Sequence, residues 1–357
     1  TPSCAGSNPA SPVFGHPVRM SFLFCPYCIT IQKNVLLSQF SIRRYNEDLK
    51  GGNVMLKKIS MIGVPMDLGQ LRRGVDMGPS AIRCAGVNER LESLSRDIED
   101  LGDITIGQRE DEREGGESAS EELRNLKAIT NASLKLAQTV DKIVASDSFP
   151  LVLGGDHSIA IGTLAGLARH YQNLGVIWYD AHADVNTKET SPSGNIHGMP
   201  LAISMGIGHE RLTGIYGDGA KVKPENIVII GARSLDDGEK KLIREKGIKV
   251  YTMHEIDRLG MTRVMEETIE YLRERTDGVH LSFDLDALDP DDAPGVGTPV
   301  AGGISYRESH LAMEMLEESS LVTSAEFVEV NPILDEKNRT AETAVALMGS
   351  LFGEKLL

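Results

Sequence analysis

The sequence predicts an α/β protein, a single three-layer αβα domain with a mainly parallel sheet. Three observations carry that expectation. From residue 55 onward, short apolar, β-branched runs alternate with longer stretches of helical periodicity. Alternation of that kind builds a parallel sheet with helices on both faces, because each parallel connection must cross back over the sheet. No internal repeat and no Gly- or Pro-rich linker divides residues 55–357, so one body is expected. The composition, 41% hydrophobic and 25% charged over 357 residues, suits a globular chain with a sizeable core.

The elements follow in order. Residues 58–64 read as a first strand, and Gly78-Pro79-Ser80 opens a helix with Pro in its first turn. Residues 99–104 read as an edge strand. Residues 118–146, rich in Glu, Ala, Leu and Lys, read as a long helix whose acid-rich start overlaps a solvated loop at 111–122. A buried strand at 149–153 leads through Gly154-Gly155 into a helix capped near Ser158. Further strands are expected at 174–179, 227–231, 248–252, 279–283 and 324–330, with helices at 239–246, 263–273 and 305–317 between them.

Residues 1–54 differ in kind. They carry a net charge of +3, against −18 for residues 55–357, and hold Cys4, Cys25 and Cys28. The segment reads as an extension outside the fold, either disordered or a translated upstream leader. Lys50-Gly51-Gly52 can be encoded as a purine-rich ribosome-binding run, with Met55 as the native start. A transit peptide is the third reading, because acids are absent before Glu47. Cys25-Pro-Tyr-Cys28 lacks the second ligand pair that a zinc site needs and the βα context of a redox motif. Only Cys84 lies in the main body, which therefore has no internal disulfide and suits a reducing, cytoplasmic setting. The overall charge of −15 argues against nucleic acid or an anionic membrane as partner, and no run approaches the length of a membrane span.

In open α/β sheets ligands bind beyond the carboxyl ends of the strands. Four strands here deliver acids or imidazoles to that rim: Asp156-His157 after 149–153, Asp180-Ala-His182-Ala-Asp184 after 174–179, Asp284-Leu-Asp286 after 279–283, and Glu329 after 324–328. Any one of these is an ordinary loop or cap feature. Together they would repel and desolvate at heavy cost without cations. His157, Asp180, His182, Asp184, Asp284 and Asp286 bring two neutral imidazoles and a formal charge of −4, which two divalent ions neutralise. An oxygen-rich, thiol-free set favours Mn²⁺ over Zn²⁺. The residues thus point to a dinuclear metallohydrolase whose nucleophile is a metal-activated hydroxide.

Over 55–357 the chain resembles the arginases of the ureohydrolase superfamily, particularly the bacterial form. The resemblance is carried by Gly154-Gly-Asp-His157-Ser158, Asp180-Ala-His-Ala-Asp184, Ser193-Gly-Asn195-Ile-His197-Gly-Met-Pro200, Ser282-Phe-Asp284-Leu-Asp286, Gly297-Thr298-Pro299 and Glu329-Val-Asn331-Pro332. It implies an arginase/deacetylase-like fold and a cytoplasmic homo-oligomer, trimer or hexamer. The activity implied is hydrolysis of L-arginine to L-ornithine and urea, by attack of a hydroxide bridging two Mn²⁺ on the guanidinium carbon. By match to the family motifs, His157, Asp180, Asp184 and Asp284 hold one ion and Asp180, His182, Asp284 and Asp286 the other, with Asp180 and Asp284 bridging. Asp184 also orients the hydroxide, Glu329 pairs with the substrate guanidinium in a bidentate match of shape and charge, and His197 transfers a proton to the leaving amine. Asn186 and Ser193 meet the α-carboxylate, with Asn195 in the same loop, and Asp236 meets the α-ammonium. Glu239 supports that end, and Thr298 shapes the pocket floor. Ala183 and Ala287 depart from the residues commonest in the family, while the ligands beside them are intact.

Three alternatives stay open at this level. Another ureohydrolase would act on agmatine or guanidinobutyrate, although Ser-Gly-Asn-Ile-His and Glu-Val-Asn-Pro look like arginase. A single-metal amide hydrolase of the deacetylase type would share the fold, but His157 and Asp286 supply a second metal. A non-catalytic scaffold should have lost ligands, and none of the set is missing.

Overall fold

The computed structural model describes residues 57–109 and 123–357. The expected leader, the Cys25/Cys28 pair and the acidic loop at 111–122 lie outside the described residues. The eight strands are β1 (Ile59–Val64), β2 (Ile98–Asp103), β3 (Phe149–Gly154), β4 (Leu174–Tyr179), β5 (Ile227–Ala232), β6 (Lys249–Thr252), β7 (Gly278–Asp284) and β8 (Val322–Val328). They form one sheet in the order β2-β1-β3-β8-β7-β4-β5-β6, and every ladder in it is parallel.

Burial explains which strands sit where. Every residue of β4, β5 and β7 is buried, as expected for strands covered on both faces. The edge strand β2 reads Ile-Glu-Asp-Leu-Gly-Asp and is largely exposed. Its acids pair with Arg83, whose Nε lies 2.8 Å from Asp100, and charge of this kind discourages edge-to-edge association.

Two apolar layers flank the sheet because successive side chains point to opposite faces. Ile177, Tyr179, Leu281, Phe283 and Phe327 face one core. That side is covered by α1 (Gly78–Cys84), α2 (Val87–Ser93), α8 (Met253–Leu259), α9 (Met261–Arg273), α10 (Tyr306–Ser319) and α11 (Arg339–Leu351). Val152, Val176, Trp178, Ile229 and Val328 face the other, covered by α3 (Leu126–Ala145), α4 (Ala160–Leu167), α5 (Pro200–Ser204), α6 (Glu210–Thr213) and α7 (Asp237–Lys246). The three-layer expectation is met.

Three local readings need correction. The long helix begins at Leu126, not 118. The cap after β3 is Asp156, whose side chain accepts from Ser158 N, and a 3₁₀ turn (His157–Ile159) precedes α4. The last strand stops at Val328 because Glu329 turns into the left-handed region, with φ of 65°, where a ladder cannot continue.

Phe283 is fully buried and stacks between Tyr179, with centroids 4.6 Å apart, and Phe327, 5.2 Å away. Phe283→Ala is expected to cost about 3–5 kcal/mol of stability, read as an earlier midpoint in denaturant unfolding.

Candidate metal centre

The strands that carry the site are adjacent in the sheet although far apart in sequence: β3, β8, β7 and β4 run side by side. Their carboxyl ends place His157, Glu329, Asp284 with Asp286, and Asp180 with His182 and Asp184 on one rim.

A local rule accounts for the paired spacing. Asp180 Oδ1 accepts from the backbone N–H of His182 at 2.7 Å, and Asp284 Oδ1 from that of Asp286 at 2.8 Å. Asp156 Oδ1 does the same for Ser158 at 3.1 Å. A carboxylate that caps the N–H two residues on turns the chain out of the sheet. The next ligand then lies on the same side as the first. Ala287 falls in the right-handed 3₁₀ turn Leu285–Ala287, so no glycine is needed there. Asp184 is held at φ of 53°, an uncommon conformation for a residue with a Cβ, and so is Glu329.

Two groups of donors close enough to hold an ion emerge: His157, Asp180 and Asp284, and Asp180, His182 and Asp286. Asp180 belongs to both. His157 Nδ1 lies 3.2 Å from Asp180 Oδ2, 3.2 Å from Asp184 Oδ2 and 3.1 Å from Asp284 Oδ2. His182 Nδ1 lies 3.2 Å from Asp286 Oδ2 and 3.4 Å from Asp180 Oδ1. All four Asp side chains are buried. Burial raises the Asp184 carboxyl to about 6, and the Asp180 charge adds to the rise. Asp284 is pushed up by burial and by its neighbours Asp286 and Asp180.

The donor set fits a cation on one further observation. His157 Nδ1 is buried without a hydrogen-bond partner while three carboxylate oxygens face it. Buried polar atoms are ordinarily partnered. A cation among them satisfies the nitrogen and relieves the carboxylates together.

Supporting contacts surround these residues. Trp178 Nε1 donates to Asp180 Oδ2 at 2.8 Å, and Thr298 Oγ1 donates to Asp286 Oδ2 at 2.8 Å. Thr298 therefore braces Asp286 as well as lining the pocket. The Arg233 guanidinium donates to the carbonyls of Asp286, Ala287, Leu288 and Val300, fastening the Asp286 turn to the Thr298 loop. At Gly155 an added Cβ would fall 2.0 Å from Met66 O, so only glycine lets the 66–70 loop close against the site. Asp156 then accepts from Gly69 N at 2.8 Å, and Gly69 O accepts from His197 N at 3.1 Å.

His197 lines the pocket, and Glu329 sits beneath it, 1% exposed. Glu329 accepts from His157 N at 3.0 Å and Gln70 Nε2 at 2.9 Å, and lies 3.1 Å from His197 Nδ1. Burial disfavours the His197 imidazolium, but the bond to Glu329 and its charge outweigh burial and raise the pKa to about 9.

A cavity of about 270 Å³ runs from His182, Asp184 and Asp286 to Asn186, Ser193 and Asp236. Asn186 Nδ2 donates to Asp236 Oδ2 at 2.8 Å, and Asn186 Oδ1 accepts from Thr190 Oγ1 at 2.9 Å, which fixes the amide. Ser193 shares the rim with Ser191. Asn195 is turned toward Arg124, whose Nη2 donates to its Oδ1 at 2.5 Å. Glu239 is buried, accepts from Asp236 N and Val185 N, and is raised to about 7 by burial.

Sequence reasoning missed Gln70, Trp178, Ser191, Arg233 and Ser282. Trp178 and Ser282 stand two residues before Asp180 and Asp284, so strand periodicity could have flagged them. Gln70 and Arg233 act from loops, and no spacing announces them.

This pocket, with acids and imidazoles at one end and hydroxyl, amide and carboxylate groups at the other, defines a class: an enzyme site suited to divalent cations and a small polar substrate. The chain belongs to the arginase family, whose model matches residues 57–353. It is 74% identical over 302 residues to the arginase of Bacillus caldovelox, covering 85% of this chain and 100% of the relative. The solved native structure of the B. caldovelox enzyme matches with a TM-score of 0.82, covering 85% of this chain and 100% of that one. The Entamoeba histolytica arginase, solved in complex with L-ornithine, matches at 36% identity and a TM-score of 0.76, covering 84% of this chain and 99% of that one.

Because Asp180 belongs to both donor groups, Asp180→Ala is expected to impair cation binding at both. Elemental analysis after loading with a divalent cation should fall to a small fraction of the wild-type content, and retention of half or more would contradict the shared role.

Proposed function

We propose that this protein hydrolyses L-arginine to L-ornithine and urea, using two Mn²⁺ ions per chain. The observation that carries the reading is the pair of donor groups sharing Asp180 at the base of a pocket whose rim holds Asp236, Asn186 and Ser193. The closely similar B. caldovelox arginase supports it, as does the L-ornithine complex of the E. histolytica relative.

His157, Asp180, Asp184 and Asp284 would hold one ion, and Asp180, His182, Asp284 and Asp286 the other. When bound, such ions acidify a water and so supply the hydroxide nucleophile that a resonance-stabilised guanidinium requires. The remaining work falls to the chain itself. Asp184 accepts a hydrogen bond that orients the nucleophile. Glu329 offers negative charge toward the guanidinium. About four lone-pair positions exist on a carboxylate, and three of those on Glu329 face protein groups. It therefore meets a guanidinium with one prong, not in the expected bidentate pairing, while His197 keeps this position. With Nδ1 of His197 tied to Glu329, Nε2 is the atom left to deliver a proton to the departing ornithine amine. Exclusion of water by the buried walls strengthens each of these electrostatic contacts.

The rim supports arginine over its decarboxylated analogue. Asp236 presents a carboxylate for an α-ammonium, and the Ser191 and Ser193 hydroxyls and the Asn186 amide stand where an α-carboxylate would lie. Agmatine lacks that carboxylate and would forgo the contacts these groups offer it. Among the described residues no helix is long and apolar enough to cross a membrane. A cytoplasmic homo-oligomer, trimer or hexamer, completes the proposal by family resemblance.

Urea release from arginine and from agmatine, measured side by side with Mn²⁺ present, tests the reading. Faster release from agmatine overturns it. His197→Ala is expected to lower turnover about 10²–10⁴-fold, the span typical of a lost proton-transfer group, while two ions stay bound. Loss of metal from that variant would refute the proton-transfer role.

A further inference from the structure

The rung of the sheet below the candidate ligands carries two buried polar residues, where a doubly covered parallel sheet is ordinarily apolar. Trp178 of β4, Ser282 of β7 and Glu326 of β8 lie side by side in register, and Val152 of β3 completes the rung. Side chains alternate with a period of two, so this rung faces the same side as Asp180 and Asp284, two residues further along. Ser282 and Glu326 are fully buried.

The hydrogen bonds of this rung run in one direction. Ser282 Oγ donates to Glu326 Oε1 at 2.7 Å and lies 2.8 Å from His157 Nε2. A serine hydroxyl has a single proton. With that proton on the Glu326 bond, Ser282 can only accept from His157. Nε2 then carries the ring proton, and Nδ1 keeps its lone pair, aimed among Asp180, Asp184 and Asp284. Glu326 is held in turn by Thr163 Oγ1, which donates to Oε2 at 2.7 Å, and faces His280 Nε2 at 3.4 Å.

We propose that Glu326, acting through Ser282, is a positioning residue that fixes the His157 tautomer and thereby makes Nδ1 a cation ligand. Were the acceptor at 326 absent, Ser282 could turn and donate to Nε2. The ring proton would then move to Nδ1 and face the carboxylates in place of an ion. The inference rests on the metal-dependent reading above. It requires no contact between Glu326 and substrate.

Trp178 supplies a readout other than activity. It is the only tryptophan in the chain. Its ring stacks on His157 with centroids 4.0 Å apart and planes 5° from parallel. Trp178 also donates to Asp180, so its fluorescence reports cation binding at the centre as a whole, and elemental analysis reports total metal.

The experiment is a MnCl₂ titration of the metal-stripped full chain, comparing the wild type with Ser282→Ala, Glu326→Leu and Glu326→Gln. Metal-free melting curves check that each variant folds. Loss of an outer hydrogen-bond partner typically weakens metal binding about 10- to 100-fold. Ser282→Ala and Glu326→Leu are expected to weaken one of the two equivalents by that factor and to spare the other, so the titration splits into two well-separated phases. Glu326→Gln keeps an oxygen acceptor for Ser282 and should stay within a few-fold of the wild type. The proposal is overturned by wild-type binding in Ser282→Ala, by equal weakening of both ions, or by Glu326→Gln behaving like Glu326→Leu. If Glu326→Leu does not fold, Ser282→Ala alone decides. A wild type that binds no manganese refutes the metal-dependent reading itself.

Discussion

Repulsion among buried carboxylates is the constraint on which the rest of this molecule depends. Asp180, Asp184, Asp284 and Asp286 are packed around two imidazoles in a space largely closed to water. Isolated buried charge is costly, and partners or cations must offset it. The surroundings are organised accordingly. Backbone N–H groups, the Trp178 indole and the Thr298 hydroxyl each neutralise part of the set. The half-buried Arg233 sits behind the Asp286 turn, adding positive charge while stitching two loops together. These contacts leave one nitrogen, His157 Nδ1, unpartnered at the centre.

The parallel sheet makes that concentration possible. Helical crossovers bring strands distant in sequence side by side, so four carboxyl ends open onto one rim. Regular backbone underneath gives the ligands a rigid platform, and the short turns after each strand aim them. Within the site, Asp184 and Glu329 lie in the left-handed region, and they line or brace the pocket. Residues held so far from ordinary geometry require a surrounding structure that over-determines them. Asp184 O accepts from Leu201 N, and Glu329 N donates to Gly155 O, which supplies part of that restraint.

The two ends of the pocket are built differently. At its base the side chains are fixed by ladders and by turns that follow them directly. At the rim they sit on the 186–198 loop and at the start of α7, and their orientation depends on one another: Asn186 on Asp236 and Thr190, Asn195 on Arg124. The rim is therefore held by a network of polar side chains, whereas the acidic base is held by the sheet.

The sequence by itself determined the α/β class, the strand positions and the six ligand candidates. These depend on local chemistry: runs of β-branched residues, and Asp-x-His and Asp-x-Asp spacings in which each first carboxylate caps the N–H two residues on. Only the tertiary structure decided that β8 and β7 insert between β3 and β4, because strand order is a matter of long-range pairing and leaves no local mark. For the same reason it alone placed Gln70 against Glu329 across 259 residues and Arg233 behind the Asp286 turn. It also moved the long helix start to Leu126 and ended β8 at Val328, where a single left-handed residue outweighed the β propensity of the run. Asn195 shows the same limit most simply. A motif names the residue, but a cation seventy-one positions away in the chain decides which way its amide points.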